Sequence, residues 1–187
     1  MRPPKARLWG VEMMNFVKLS GAVLFIFSSW FIGMMKSRSF KRRVEEIKEL
    51  IIMLSRLSTE ISYTSVKLPD AFKAIGDGRD DTLSHIFCAA SDFLQAGEGY
   101  SVADSIDLAI TRSPQPLCLN AEDLNVLNSM SFAMGTSGRE DQIKHIDLAM
   151  KRLEENLKEA EIKASSNAKL WPSIGFLVSC MVVLALM

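Results

Sequence analysis

Cysteine, histidine, glycine and proline are all scarce in this chain, and each scarcity removes a class of protein. Three cysteines in 187 residues, Cys88, Cys118 and Cys180, are too few and too scattered for a disulfide framework. No CxxC or Cys/His spacing could seat zinc. They read as buried small hydrophobes, and a domain without staples fits the reducing cytoplasm. Only 10 glycines and 6 prolines argue against a β-rich or disordered chain, and no apolar/polar alternation of useful length occurs. Lys and Arg balance Asp and Glu at 22 each, so overall charge gives no reason to expect nucleic-acid binding, which needs a clustered basic surface. A glycine-rich phosphate loop is missing, which excludes a P-loop ATPase. His85 and His145 are the only histidines. Asp141 precedes His145 by one helical turn and could orient it as a base, but no Ser or Cys nucleophile is tied to the pair by spacing, so a surface salt bridge is expected. Asp80-Asp81 and Glu122-Asp123 read as acids at helix starts. No catalytic, cofactor-binding or metal-binding residue is assigned, and the chain is expected not to be an enzyme.

What the chain does have is two long apolar runs. Leu19 to Met35 holds about 17 residues without a charge, near the ~20 needed to cross a bilayer core. Phe16 and Val17 extend it past Lys18, which can snorkel. A signal peptide would end in small residues for cleavage. This run ends instead in Gly-Met-Met-Lys and a basic block, Lys36, Arg38, Lys41, Arg42 and Arg43, which suits a stop-transfer anchor. The second run, Leu170 to Met187, also lacks charge. Trp171 stands where an interfacial aromatic belongs, and Pro172 falls in a first helical turn, where its missing N–H costs little. The positive-inside rule then places residues 36–169 in the cytoplasm and both termini outside. The expected domains are a poorly ordered or superfluous N-terminus over 1–13, a transmembrane helix over 14–35, a cytoplasmic helical domain over 36–169 and a transmembrane helix over 170–187. Starting at Met13 or Met14 would remove three basic residues and sharpen the charge bias.

Between the runs the apolar period is helical. Val44, Ile47, Leu50, Ile51, Leu54, Leu57 and Ile61 recur at three and four within a helix over Phe40–Tyr63, with Arg43, Glu46, Lys48, Glu49, Arg56 and Glu60 on the opposite face. Pro69 and Asp70 open a short segment through Ala71, Phe72 and Ile75, and Gly76-Asp-Gly-Arg-Asp is a turn. Asp81 to Ala96 is helical through Leu83, Ile86, Phe87, Ala90, Phe93 and Leu94. Ser101 with Asp104 three residues on forms a capping box before Val102, Ile106, Ala109 and Ile110. Asn120 caps Ala121–Met134, and Gly135-Thr-Ser-Gly138 closes that helix. The last helix runs from Arg139 through Ile143, Ile146, Met150, Leu153, Leu157, Ala160 and Ala164 toward the second run, with Glu154–Lys158 and Glu159–Lys163 spaced for i, i+4 pairing. The fold class is all-α: a bundle of about six helices flanked by an N-terminal and a C-terminal transmembrane helix.

One stretch stands out from this pattern. A polar turn from Met134 opens a helix whose exposed start carries Gly138, Arg139, Glu140, Asp141 and Gln142. Charge concentrated at a helix N-terminus can read a partner's basic or backbone groups. Glu60 and Tyr63 form a second candidate patch. Against a docking role stands the simpler reading, in which Glu140 and Asp141 only favour the helix dipole and Tyr63 packs in the core.

These segments also carry a resemblance. The N-terminal Leu-Ser-Gly-Ala-Val anchor, Leu57-Ser-Thr-Glu-Ile-Ser-Tyr63 followed by Leu68-Pro-Asp-Ala-Phe72, the Gly135-Thr-Ser-Gly-Arg-Glu-Asp-Gln-Ile-Lys-His-Ile turn and helix, and Lys169-Leu-Trp-Pro-Ser-Ile-Gly-Phe are similar in kind and order to the stage III sporulation protein AB family of endospore-forming bacteria. The likeness runs from about Phe16 to Met187. The sequence departs from the family at Gly138, where Asp is usual, and at Trp171 and Pro172, where Tyr or Arg is usual. The family's soluble part is similar to the cytoplasmic domain of the platform protein of type II secretion and type IV pilus machines. The resemblance implies a membrane platform in the mother-cell channel apparatus facing the forespore. Its implied partners are a cytoplasmic hexameric secretion-type ATPase, other small membrane proteins of the channel and the lipid bilayer. A platform protein of a secretion or pilus machine proper is the alternative, although it would usually carry two such domains and three spans.

Overall fold

A computed structural model describes residues 38–64, 66–136 and 138–186, together with Ser28 and Met35; in the last helix, side chains are described to Ser166 and at Leu177 and Met181. Six helices and no strand occur among the described residues. They are α1 over residues 38–64, α2 Leu68–Gly76, α3 Thr82–Gln95, α4 Val102–Thr111, α5 Ala121–Thr136 and α6 Arg139–Leu186. Two compact units divide the chain. Phe40–Lys163 form one, and Met1–Ser39 with Ala164–Met187 form the other.

Within the larger unit each helix begins where the side chains dictate. Pro69 sits in the first turn of α2, where a missing N–H leaves no hydrogen bond broken. Asp81 caps α3 by accepting from the Ser84 N–H at 2.9 Å. The capping box of α4 closes in both directions: the Ser101 hydroxyl accepts from the Asp104 N–H, and the Asp104 carboxylate accepts from the Ser101 N–H. The turn after α2 uses Gly78 at φ +76°, a conformation open to glycine at little cost. Gly76 belongs to α2, not to the turn. A Cβ there would lie 2.6 Å from Cys88 Sγ and 2.7 Å from the Ser84 carbonyl oxygen, so α2 and α3 approach each other through the absence of a side chain.

Helices α2 to α5 pack in succession, each on the next, and the apolar stripe of α1 lies in the same core. Ile47, Leu50, Leu54, Leu57 and Ile61 are buried as their spacing predicts, with Val44 and Ile51 packed partly against the core. Met53, which the stripe did not include, is fully buried with them. Phe72 and Phe87 meet edge to face with centroids 5.4 Å apart, a favoured aromatic geometry. In α6, Ile146, Leu153 and Ala160 are buried, joined by Ala149. The expected Glu159–Lys163 pair closes at 3.2 Å.

Three local expectations are corrected. The helix after Asn120 runs through Gly135 to Thr136, so the closing turn is shorter than the two glycines suggested. Asp141 pairs with Lys144 at 3.0 Å and not with His145, because a longer flexible amine at i+3 reaches the carboxylate. Arg43 and Glu46 do not belong to a solvated face. Both are buried, for reasons given next.

Among the described residues no helix is long and apolar enough to cross a membrane. Apart from Ser28 and Met35, the run over 14–35 lies outside the described residues, and so do most side chains of the run over 170–187.

Candidate functional site

Two polar features rise out of this scaffold, one buried and one exposed. The buried one centres on Asp123, which is fully enclosed. Its carboxylate receives a two-pronged guanidinium contact from Arg43, Nε to Oδ2 at 2.8 Å and Nη2 to Oδ1 at 3.1 Å. Asn156 Nδ2 donates to Oδ1 at 2.9 Å, and the Asn120 N–H donates to Oδ2 at 3.0 Å. Asn120 Oδ1 accepts from the Asp123 N–H at 2.9 Å, so the same residue completes a reciprocal cap on α5. A buried carboxylate is tolerated only when its lone pairs are filled and its charge is met, and here four donors from α1, α6 and the loop before α5 do both. One turn along α1, the buried Glu46 accepts from the Cys118 N–H and holds the 112–120 loop against the helix. Burial pushes the Glu46 carboxyl above the usual range, opposed by that N–H and by Arg42.

The sequence held a signal for this node that its reading missed. Arg43 precedes Ile47 by four and Glu46 precedes Leu50 by four, so both extend the core stripe by one turn. A charge placed on an apolar stripe announces a buried partner. Asn120 and Asp123 have the spacing of a capping box, whereas the sequence reading gives Asp123 only as an acid at a helix start.

The exposed feature holds the candidate docking residues. Tyr63, on the last turn of α1, is 86% exposed, so it does not pack in the core. The Thr64 hydroxyl donates to the Glu60 backbone carbonyl and contacts Glu60 Oε2, both at 2.8 Å, fixing the Glu60 side chain beside the helix end. The guanidinium of Arg139 donates to the Ser62 carbonyl oxygen. Carbonyls in the last turn of a helix lack intrahelical partners and carry the negative end of the dipole, so a cation satisfies them. This contact joins the two patches that were separate in the sequence, the end of α1 with Glu60 and Tyr63 and the start of α6 with Gly138 to Gln142. Gln142 Nε2 donates to the Met134 carbonyl at 3.0 Å and ties the end of α5 to the same place. Glu140 and Asp141 remain exposed. Gly138 has open space where a Cβ would stand. Beside Glu60, Ser55, Arg56, Thr59, Ala74 and Ile75 line a shallow recess of about 290 Å³.

No group of three or more His, Cys, Asp or Glu among the described residues is placed to hold a metal ion. His85 contacts Asp80 Oδ1 at 3.1 Å in the open, and His145 lies partly buried near Arg152 and Leu148.

Fold and surface together define an all-helical domain with a buried ionic tie and an exposed polar face. The sequence profile of stage III sporulation protein AB (spore_III_AB) matches residues 18–187, and the chain belongs to that family and, with it, to sporulation. Stage III sporulation protein AB of Bacillus subtilis (strain 168) is 29% identical over 171 residues, covering 91% of this chain and 99% of that one. A solved structure of stage III sporulation protein AB (SpoIIIAB) superposes with a TM-score of 0.59 at 29% identity, over 65% of this chain and 95% of that one.

Proposed function

We propose that this protein is a non-enzymatic, membrane-anchored platform of the mother-cell sporulation channel apparatus, which docks a hexameric secretion-type ATPase through its cytoplasmic helical domain. The observation that carries the reading is the exposed face where α1 ends and α6 begins. Tyr63 supplies a large amphipathic contact there, while Glu140 and Asp141 supply charge on a helical turn that Arg139 and Gln142 tie to the ends of α1 and α5. Protein interfaces are enriched in aromatics such as tyrosine, and charge at their rim steers a partner of opposite sign. Anchoring is supported by the apolar runs on either side of the domain and the basic block after the first. In the second run, Leu177 and Met181 lie one turn apart on α6 and are 65% and 75% exposed, apolar surface that a bilayer would cover. Small membrane proteins of the same apparatus would be the lateral partners.

Reversing charge at the face tests docking apart from folding. Glu140→Lys with Asp141→Lys is expected to leave the helical circular dichroism spectrum and melting point nearly unchanged, while ATPase pull-down and spore yield fall. Survival of both binding and sporulation would remove this face as the docking site. Substrate turnover by the purified chain alone would overturn the platform reading.

A further inference from the structure

The balanced charge of the chain conceals a sharp division along it. Residues 45–161 hold 11 Lys and Arg against 21 Asp and Glu, whereas 36–44 hold five bases and 162–170 hold two, with no acid in either stretch. The helix pairing puts the bases of these stretches that belong to the bundle toward one of its ends. Lys48 of α1 meets Glu161 of α6 at 2.7 Å, so Lys41 and Arg42 on one helix and Lys163 on the other belong to the same end of the Phe40–Lys163 unit.

Burial sorts these cations by task. Arg43 is withdrawn into the core and neutralised by Asp123. Arg38, Lys41, Arg42 and Lys163 stand exposed. Arg38 and Lys41 have no ion pair among the described residues. The acids facing the others are Glu46, 3.6 Å from Arg42 and engaged with the Cys118 N–H, and Glu159, 3.2 Å from Lys163; Glu45 is exposed one turn along.

We infer that Lys41, Arg42 and Lys163 form a collar that binds the phosphate headgroups of anionic lipids, while the acidic body is held off the membrane surface. The inference rests on the anchoring proposed above. A basic residue within a Debye length of an anionic leaflet strengthens attachment by about fivefold. The same field repels the acidic body, so both signs favour one posture, collar down and docking body out.

The test uses the full chain reconstituted in vesicles of about one part phosphatidylglycerol to three parts phosphatidylcholine. Energy transfer is read from the three native tryptophans, Trp9, Trp30 and Trp171, to phosphatidylglycerol or phosphatidylcholine carrying a dansyl group on one acyl chain. Transfer to the labelled phosphatidylglycerol is expected to exceed that to the phosphatidylcholine by about twofold or more, and to lose the excess in high salt. Lys41→Gln with Arg42→Gln and Lys163→Gln should abolish it, whereas the charge-matched control Lys67→Gln with Lys73→Gln and Lys151→Gln should not. Equal transfer to both lipids overturns the collar and leaves anchoring standing. An equal loss in the control variant also overturns it, since bulk charge would then suffice. No transfer to either lipid removes the anchoring and the collar together.

Discussion

At the level of single residues, Asp123 is the position on which most depends. Removing one partner of a buried, hydrogen-bonded ion pair leaves the other charge stranded, so Arg43→Met is expected to cost roughly 3–5 kcal/mol. Arg43→Lys should recover only part of this, because an ammonium cannot make the two-pronged contact seen here. Urea unfolding followed by circular dichroism in mild detergent would measure both. Gly76→Ala is expected to destabilise by roughly 1–3 kcal/mol, because one of the atoms its Cβ would strike is backbone and cannot swing aside. Glu46 has the opposite character. Its pKa is raised on folding, so its contribution is fully present below the unfolded value and is lost as pH rises through the folded one. Glu46→Gln keeps an acceptor for the Cys118 N–H and removes that titration. The variant should therefore show a smaller loss of stability than the native chain as pH climbs out of the carboxylate range.

Helices as units were largely legible, since a long amphipathic stripe fixes both the type of element and the face it buries. Ile47 to Ile61 and Ile146 to Ala160 were read from spacing alone, and the Ser101–Asp104 box was read from two residues. What spacing could not give was partnership. Glu60 with Tyr63 and Gly138 to Gln142 were found as separate patches, because the contact from Arg139 to Ser62 spans 77 residues and no local pattern encodes it. Arg43 was misplaced for the same reason: its partner is 80 residues away. At the start of α6 the N-cap position is Gly138, whose carbonyl accepts the Gln142 N–H at 2.9 Å. The space around it is open, so Gly138→Asp should be accommodated and should add a few tenths of a kcal/mol through a side-chain cap, seen as a small rise in the urea midpoint.

For the molecule as a whole, the proposed topology has a direct chemical readout. Cys88 lies in the helical domain and is partly buried, its thiol pushed up chiefly by burial. Impermeant maleimide should fail to label it in intact cells and should label it once the membrane is opened and the protein denatured. Labelling of Cys88 in intact cells would put the domain on the other side. The ionic node also constrains how such a chain can drift over generations. Asp123 serves as cap for its own helix and as anion for Arg43 and Asn156, and an arginine at 123 could not accept the Asn120 N–H. An exchange of the two charges is therefore closed as a mutational route. Related sequences should show positions 43 and 123 changing together, with the pair lost to apolar residues and never inverted.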